Sequence, residues 1–138
     1  MKTKHYLTLE DAEFLLTRAH QYAIDKKFNV SIAVVDETGT LLAMKRMDGA
    51  SPMTANLAIE KAKCSALSRK PTLLFEELIK DGQLGFLTVS SISGMLEGAE
   101  PILYQGQLVG ALGVSGVKSH QDAQIAQHAI DVFLALAD

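Results

Sequence analysis

Four histidines, His5, His20, His120 and His128, are the first residues to test for chemistry, because imidazole ligates metals and titrates near neutral pH. No two of them stand at the i, i+4 spacing that sets a pair of imidazoles on one helix face, and the single Cys64 builds no thiolate cluster. Local spacing therefore argues against a zinc site. His20 alone is flanked by Leu16 and Ile24 at i−4 and i+4, so it borders the apolar face of a helix and is placed to act as an axial ligand or proton carrier. A partly exposed helical histidine with no role is the plainer reading of the same spacing.

Anion recognition has a second set of residues. The loop Arg46-Met47-Asp48-Gly49 joins a strand to the start of an Ala-rich helix, where free backbone N–H groups and the positive dipole end favour a carboxylate or phosphate. Arg46 adds a forked donor, and the plain alternative is an Arg46–Asp48 pair that ties the loop down. Lys61, beyond Ala58 on that helix, reads as a solvated lysine, with ligand binding or proton transfer as its chemical alternative. Ser115, between Gly113 and Gly116, is a candidate ligand donor or a turn cap. Cys64 lies between Ala62 and Ala66 and reads as a small packing residue. Gly110, Gly113 and Gly116 match neither a Gly-Lys-Ser/Thr phosphate loop nor G-x-G-x-x-G.

The elements that must position these residues follow from periodicity. Thr8 with Asp11 forms a capping-box start, and Leu9, Ala12, Leu16, Ala19 and Ala23 repeat at helical spacing toward Lys27. Val30–Asp36 and Thr40–Arg46 are β-rich runs joined by Glu37-Thr38-Gly39, a link of hairpin length. A long helix follows Pro52, with Ala55, Ile59, Ala62 and Ala66 on one face, and it stops before Pro71. Thr72 caps a shorter helix to about Lys80, and Phe86–Ile92 reads as a strand. Gly98 opens the stretch to Gly116, a hairpin turning at Gln105-Gly106, and Ser119 with Asp122 caps a last helix whose Ala126, Ala129, Ile130, Phe133 and Ala137 face the core. Helices around two hairpins predict an α+β fold with an antiparallel sheet of about five strands, in one domain over 1–138. Glycines on an edge strand beside a small-residue helix leave room between them for a packed helix or for a guest molecule, and Gly98 belongs to that wall.

Composition narrows the function classes. The 138 residues carry a net charge of −3 with lysine and arginine scattered, so the basic stripe that a nucleic acid needs is missing. No apolar run nears the roughly 18 residues that span a bilayer, and Lys2, Lys4, Glu10, Asp11 and Glu13 occupy the place of a signal peptide's apolar core. With one cysteine, the chain reads as a cytoplasmic protein that meets no membrane.

The segments Leu7–Ala12, Ser31–Asp36, Arg46–Ala50, Ala58–Lys63 and Gly106–Gly116 together resemble the GlcG/HbpS-like family, which also supplies the C-terminal domain of PduO-type corrinoid adenosyltransferases. The resemblance implies a profilin-like domain, assembly into homo-oligomers, and a pocket beside the sheet. It further implies haem as a possible cofactor, with His20 taking the part of the first-helix histidine that binds haem iron in some relatives. Two positions depart from the family pattern. Glu100 in Gly98-Ala99-Glu100-Pro101 stands where an apolar residue is usual, and Cys64 stands where a threonine is common. The expected function is a small-ligand or haem-binding accessory protein of glycolate- or diol-type metabolism. The alternatives are an enzyme on a small organic acid, with Arg46 binding the carboxylate and Lys61 or Glu100 moving a proton, and a chaperone-like assembly partner using the small-residue helix face.

Overall fold

Thr8 and Asp11 form the capping box that their spacing predicts. The Thr8 hydroxyl accepts from the Asp11 N–H at 3.2 Å and the Asp11 carboxylate accepts from the Thr8 N–H at 2.9 Å. From there the computed structural model, which describes residues 1–137, runs α1 (Leu9–Asp25), β1 (Ser31–Asp36), β2 (Leu41–Arg46), α2 (Pro52–Ser68) and α3 (Leu73–Lys80). A 3-10 turn (Leu84–Thr88), β3 (Ala99–Tyr104), β4 (Gln107–Ser115) and α4 (Ser119–Leu136) complete it. The second hairpin turns where Gln105 and Gly106 both take positive φ, 50° and 76°, the geometry a two-residue turn needs to match strand twist.

The sheet is antiparallel in the order β2-β1-β4-β3, four strands where about five are predicted. The missing strand is Phe86–Ile92. Its run does not alternate, Gly82 and Gly94 bracket it with positive φ, and the chain there makes the 3-10 turn and an exposed loop. One sheet face, with Ile32, Val34, Ile102, Leu112 and Val114, packs on α1 and α4. The other, with Ala33, Val35 and Ala111, packs on Ala58, Ala62 and Ala66 of α2. The buried stripe of α2 is thus rotated from the predicted one, and Ala55 and Ile59 flank it half-buried.

The glycines of β4 line no open space, and β4 is an interior strand, not an edge. A Cβ on Gly113 would lie 2.7 Å from the Ala62 nitrogen and hard against the Ala58 carbonyl oxygen. Gly110 is closed off by the Val35 carbonyl and Leu7, and Gly116 by the Asn29 carbonyl and Val30. At Gly113 the backbone of α2 fills the room expected for a guest, and at Gly110 and Gly116 neighbouring strand and loop atoms do so. The small-residue face of α2 is used up in the same contact, which leaves it unavailable as a partner interface.

Between α2 and β3 the chain makes an excursion closed at its neck. Thr72 does not cap α3 with its side chain. Its hydroxyl instead accepts from the Ala99 N–H at 3.1 Å, and its own N–H donates to the Ala99 carbonyl at 3.2 Å. Beyond that neck, α3 and the 3-10 turn hold no buried residue and pack on each other, with Phe75 and Phe86 edge to face at 5.6 Å.

Candidate functional site

Lys61 is the largest surprise for a sequence reading that solvates it, being only 2% exposed. Its Nζ donates to the Val114 carbonyl at 3.1 Å and to Asp122 Oδ2 at 3.2 Å, and the other oxygen of Asp122 accepts from the Val117 N–H at 3.2 Å. The ammonium passes the end of β3 beside Gly98, where a Cβ would lie 2.6 Å from Nζ and 2.8 Å from the Val114 carbonyl. Gly98 has φ 141°, so both conformation and space call for glycine. Lys61 sits on the helix of one layer and Asp122 on the helix of the other, so the pair bolts the layers together. Asp122 serves this pair and the N-terminus of α4, whose capping contact is made by Gln121 to the Lys118 N–H at 3.2 Å.

Two carboxyl groups of the fold are held above their ordinary range. Burial pushes Asp122 up to about 6, against the pull of the Lys61 charge and the Val117 N–H. Glu100, half-buried on β3 opposite Leu112, is pushed up to about 7 by burial and by the charge of Glu97. No cation pairs with Glu100 among the described residues, so protonation is what relieves its burial. Burial likewise pushes the Cys64 thiol up to about 11, which suits packing and not nucleophilic attack.

Arg46 and Ser115 share one rung of the sheet. Arg46 pairs with Ser31 and Ser31 with Ser115, on the face that α2 covers, and the Ser31 hydroxyl bonds Thr54 at 2.9 Å. The start of α2 borders a polar cavity of about 460 Å³ with Lys27, Asn29, Gly49 and Ser51 in its wall. Arg46 and Asp48 are exposed, form no ion pair with each other among the described residues, and stand outside that wall. Lys61 and Glu100 are absent from it too, so the residues proposed for acid chemistry share no cavity there.

His20 occupies the opposite side. It is half-buried on α1, which packs on β2, and β2 turns Ala43 and Lys45 to the same sheet face through their pairing with Val34 and Ile32. Leu42 and Ala43 are half-buried there, Ile24 is partly exposed on the next helical turn, and Lys45 is exposed. A histidine-bearing helix, apolar surface and a cation thus border one sheet face along the α1–β2 edge. Register puts Arg46 on the other face, so His20 and Arg46 belong to different surfaces. The six candidate residues divide into Lys61 with Gly98, Arg46 with Ser115 and the nearby Asp48, and His20 alone.

One cleft escapes sequence reading. About 340 Å³ in volume, it is walled by Tyr6, Phe14, Tyr104 and Phe133, with His5 and Glu10 at its polar side. His5 stands edge-on to Tyr104 at 4.9 Å, and Gln107 grips its backbone through the His5 carbonyl at 3.0 Å. These residues come from the N-terminal segment, α1, β3 and α4, and apart from Glu10 and Phe14 at i, i+4 on α1 no local spacing links them.

The family model for haem-degrading proteins of the HbpS-like type matches residues 7–131. Protein GlcG of Escherichia coli K12 is 40% identical over 115 residues, 83% of this chain and 85% of that protein. The crystal structure of Klebsiella pneumoniae protein ORFY superposes with a TM-score of 0.92 at 27% identity, covering 99% of this chain and 96% of the other. That of a PduOC:heme complex superposes with a TM-score of 0.82 at 27% identity, covering 92% and 94%.

Proposed function

The chain belongs to the HbpS-like family, and from that premise we propose a haem-binding accessory protein without a catalytic cycle of its own, acting as a cytoplasmic homo-oligomer in glycolate- or diol-type metabolism. The observation that carries the ligand is the α1–β2 edge, where His20 shares a sheet face with half-buried Leu42 and Ala43 and with exposed Lys45. This donor set fits haem. An imidazole nitrogen suits the iron, apolar side chains suit the macrocycle, and an ammonium suits a propionate. When bound, haem supplies an iron centre whose properties follow its axial ligand and surroundings. The chain supplies binding and orientation: His20 from a rigid helix, Lys45 from the rim of an edge strand. A relative crystallised as a PduOC:heme complex supports the same reading.

Haem titration followed in the Soret region tests it. A shifted band that His20→Ala abolishes and His5→Ala spares is the expected result, with Lys45→Glu weakening affinity. A spectrum that matches free haem and ignores His20→Ala removes the haem reading. Loss with His5→Ala alone moves the ligand to the aromatic cleft.

A further inference from the structure

We propose that the aromatic cleft between the N-terminal segment, α1, β3 and α4 binds an organic cation, an ammonium group carried on an apolar body of small-molecule size. This site is separate from the α1–β2 edge and does not rest on haem binding.

The lining states the chemistry. Leu7 and Val109 are its buried apolar members, and Tyr6, Phe14, Tyr104 and Phe133 supply four aromatic side chains. An aromatic ring attracts a cation through the negative face of its π-system, more strongly where water is displaced. Phe14 already acts in this way, because the Arg18 guanidinium lies over its ring at 5.3 Å, one turn further along α1. Two carboxylates add charge. Glu10 stands one turn before Phe14 on the same face of α1, and Asp11 beside it accepts the Thr8 N–H at 2.9 Å through Oδ2. Neither carboxylate joins an ion pair, and no lysine or arginine lines the cleft, among the described residues. Lys4, the nearest cation along the chain, is held by Glu37 at 3.0 Å instead.

Carboxylates beside aromatic rings, with no basic counterpart, favour a cation and disfavour an anion. Haem shows the contrast, since its propionates would face Glu10 and Asp11 here but meet Lys45 at the α1–β2 edge. The volume of about 340 Å³ is at the lower end of the roughly 300–1,000 Å³ that small-ligand sites occupy. The walls are also held in place before any ligand arrives. Gln107 accepts from the His5 N–H at 3.4 Å and donates to the His5 carbonyl at 3.0 Å, and Phe14 packs on Phe133 at 6.2 Å between α1 and α4. Such preorganisation lowers the cost of binding.

Titration with benzyltrimethylammonium gives the test, with benzyl alcohol and phenylacetate as its neutral and anionic counterparts. Two of the chain's three tyrosines line the cleft and tryptophan is absent, so tyrosine emission reports occupancy while amide chemical shifts locate it. The cation is expected to bind most tightly, with shifts centred on the four lining segments. Tyr104→Leu is expected to weaken it by about 5- to 30-fold, the range of one cation–π contact, and Glu10→Gln by about 2- to 5-fold. A neutral or anionic probe that binds as tightly, an absence of saturable shifts, or shifts confined to the α1–β2 edge overturns the proposal. So does affinity for the cation that both variants leave unchanged. If Tyr104→Leu does not fold, Glu10→Lys at its exposed helical position decides. It is expected to abolish binding of the cation and spare that of benzyl alcohol, and undiminished binding of the cation counts against the site. Haem is read separately in the Soret band, so either proposal can fail while the other stands.

Discussion

At the scale of single residues, Lys61 and Asp122 carry the clearest energetic consequences. Removing one partner leaves a buried charge alone, so Lys61→Met is expected to cost about 3–5 kcal/mol in urea unfolding near pH 8. The double variant Lys61→Met/Asp122→Leu is expected to recover most of that loss, because two apolar side chains avoid the desolvation that the ion pair must overcome. A double variant no more stable than the single one would show that the pair contributes through something other than its charges. Asp122 and Glu100 also set a pH dependence. Both hold their proton more tightly folded than unfolded, at about 6 and about 7 against 3.8 and 4.5. Their contribution is therefore complete below the unfolded values and is lost as pH rises through 6 and 7. Asp36 acts in the opposite sense: burial raises it, but the Thr38 hydroxyl, the Thr38 and Thr40 N–H groups and Lys4 together pull it lower, so its contribution is lost in acid. Melting temperature is expected to be higher near pH 5 than near pH 8, with Glu100→Gln flattening the upper part of the curve. A flat wild-type profile from pH 5 to 8 would contradict both assignments.

Elements were legible wherever a local rule applied. The capping box at Thr8, the Gln105-Gly106 turn and the stop before Pro71 each depend on neighbours within a few residues, and each appears as its spacing predicts. Phe86–Ile92 failed because an apolar run without alternation does not specify a strand, and here no sheet edge receives it. The close contact of α2 on β4 turns the β4 glycines into a stability test. Gly113→Ala drives a methyl into helix backbone that cannot rotate away, and it is expected to cost about 3 kcal/mol or more by chemical denaturation. An unchanged midpoint would mean that the two layers can slide apart cheaply. Thr72→Val addresses the neck, where it removes a hydroxyl that accepts from Ala99. Faster amide exchange over residues 73–98, with the sheet amides unaffected, is the expected signature. Slowed or unchanged exchange there would assign the anchoring to other contacts.

For the molecule as a whole, the candidate site was legible as a set of residues and illegible as an arrangement. Nothing local to His20 or Arg46 reveals that the sheet lies between them, because that depends on which face of β2 each partner meets. Lys61 was misread for a related reason: its partner is on α4, across the whole fold in sequence, and a buried lysine leaves no trace in its own helix. The aromatic cleft, gathered from both chain ends and the second hairpin, was equally hidden.

The neck at Thr72 and Ala99 has one more consequence. Because the chain leaves the sandwich and returns to it at adjoining points, whatever lies between is a detachable cassette: its length and sequence can change without altering where α2 ends or β3 begins. Change within the cassette and integrity of the core are thereby separable, so a shortened or rewritten loop leaves the two layers and the sheet as they stand.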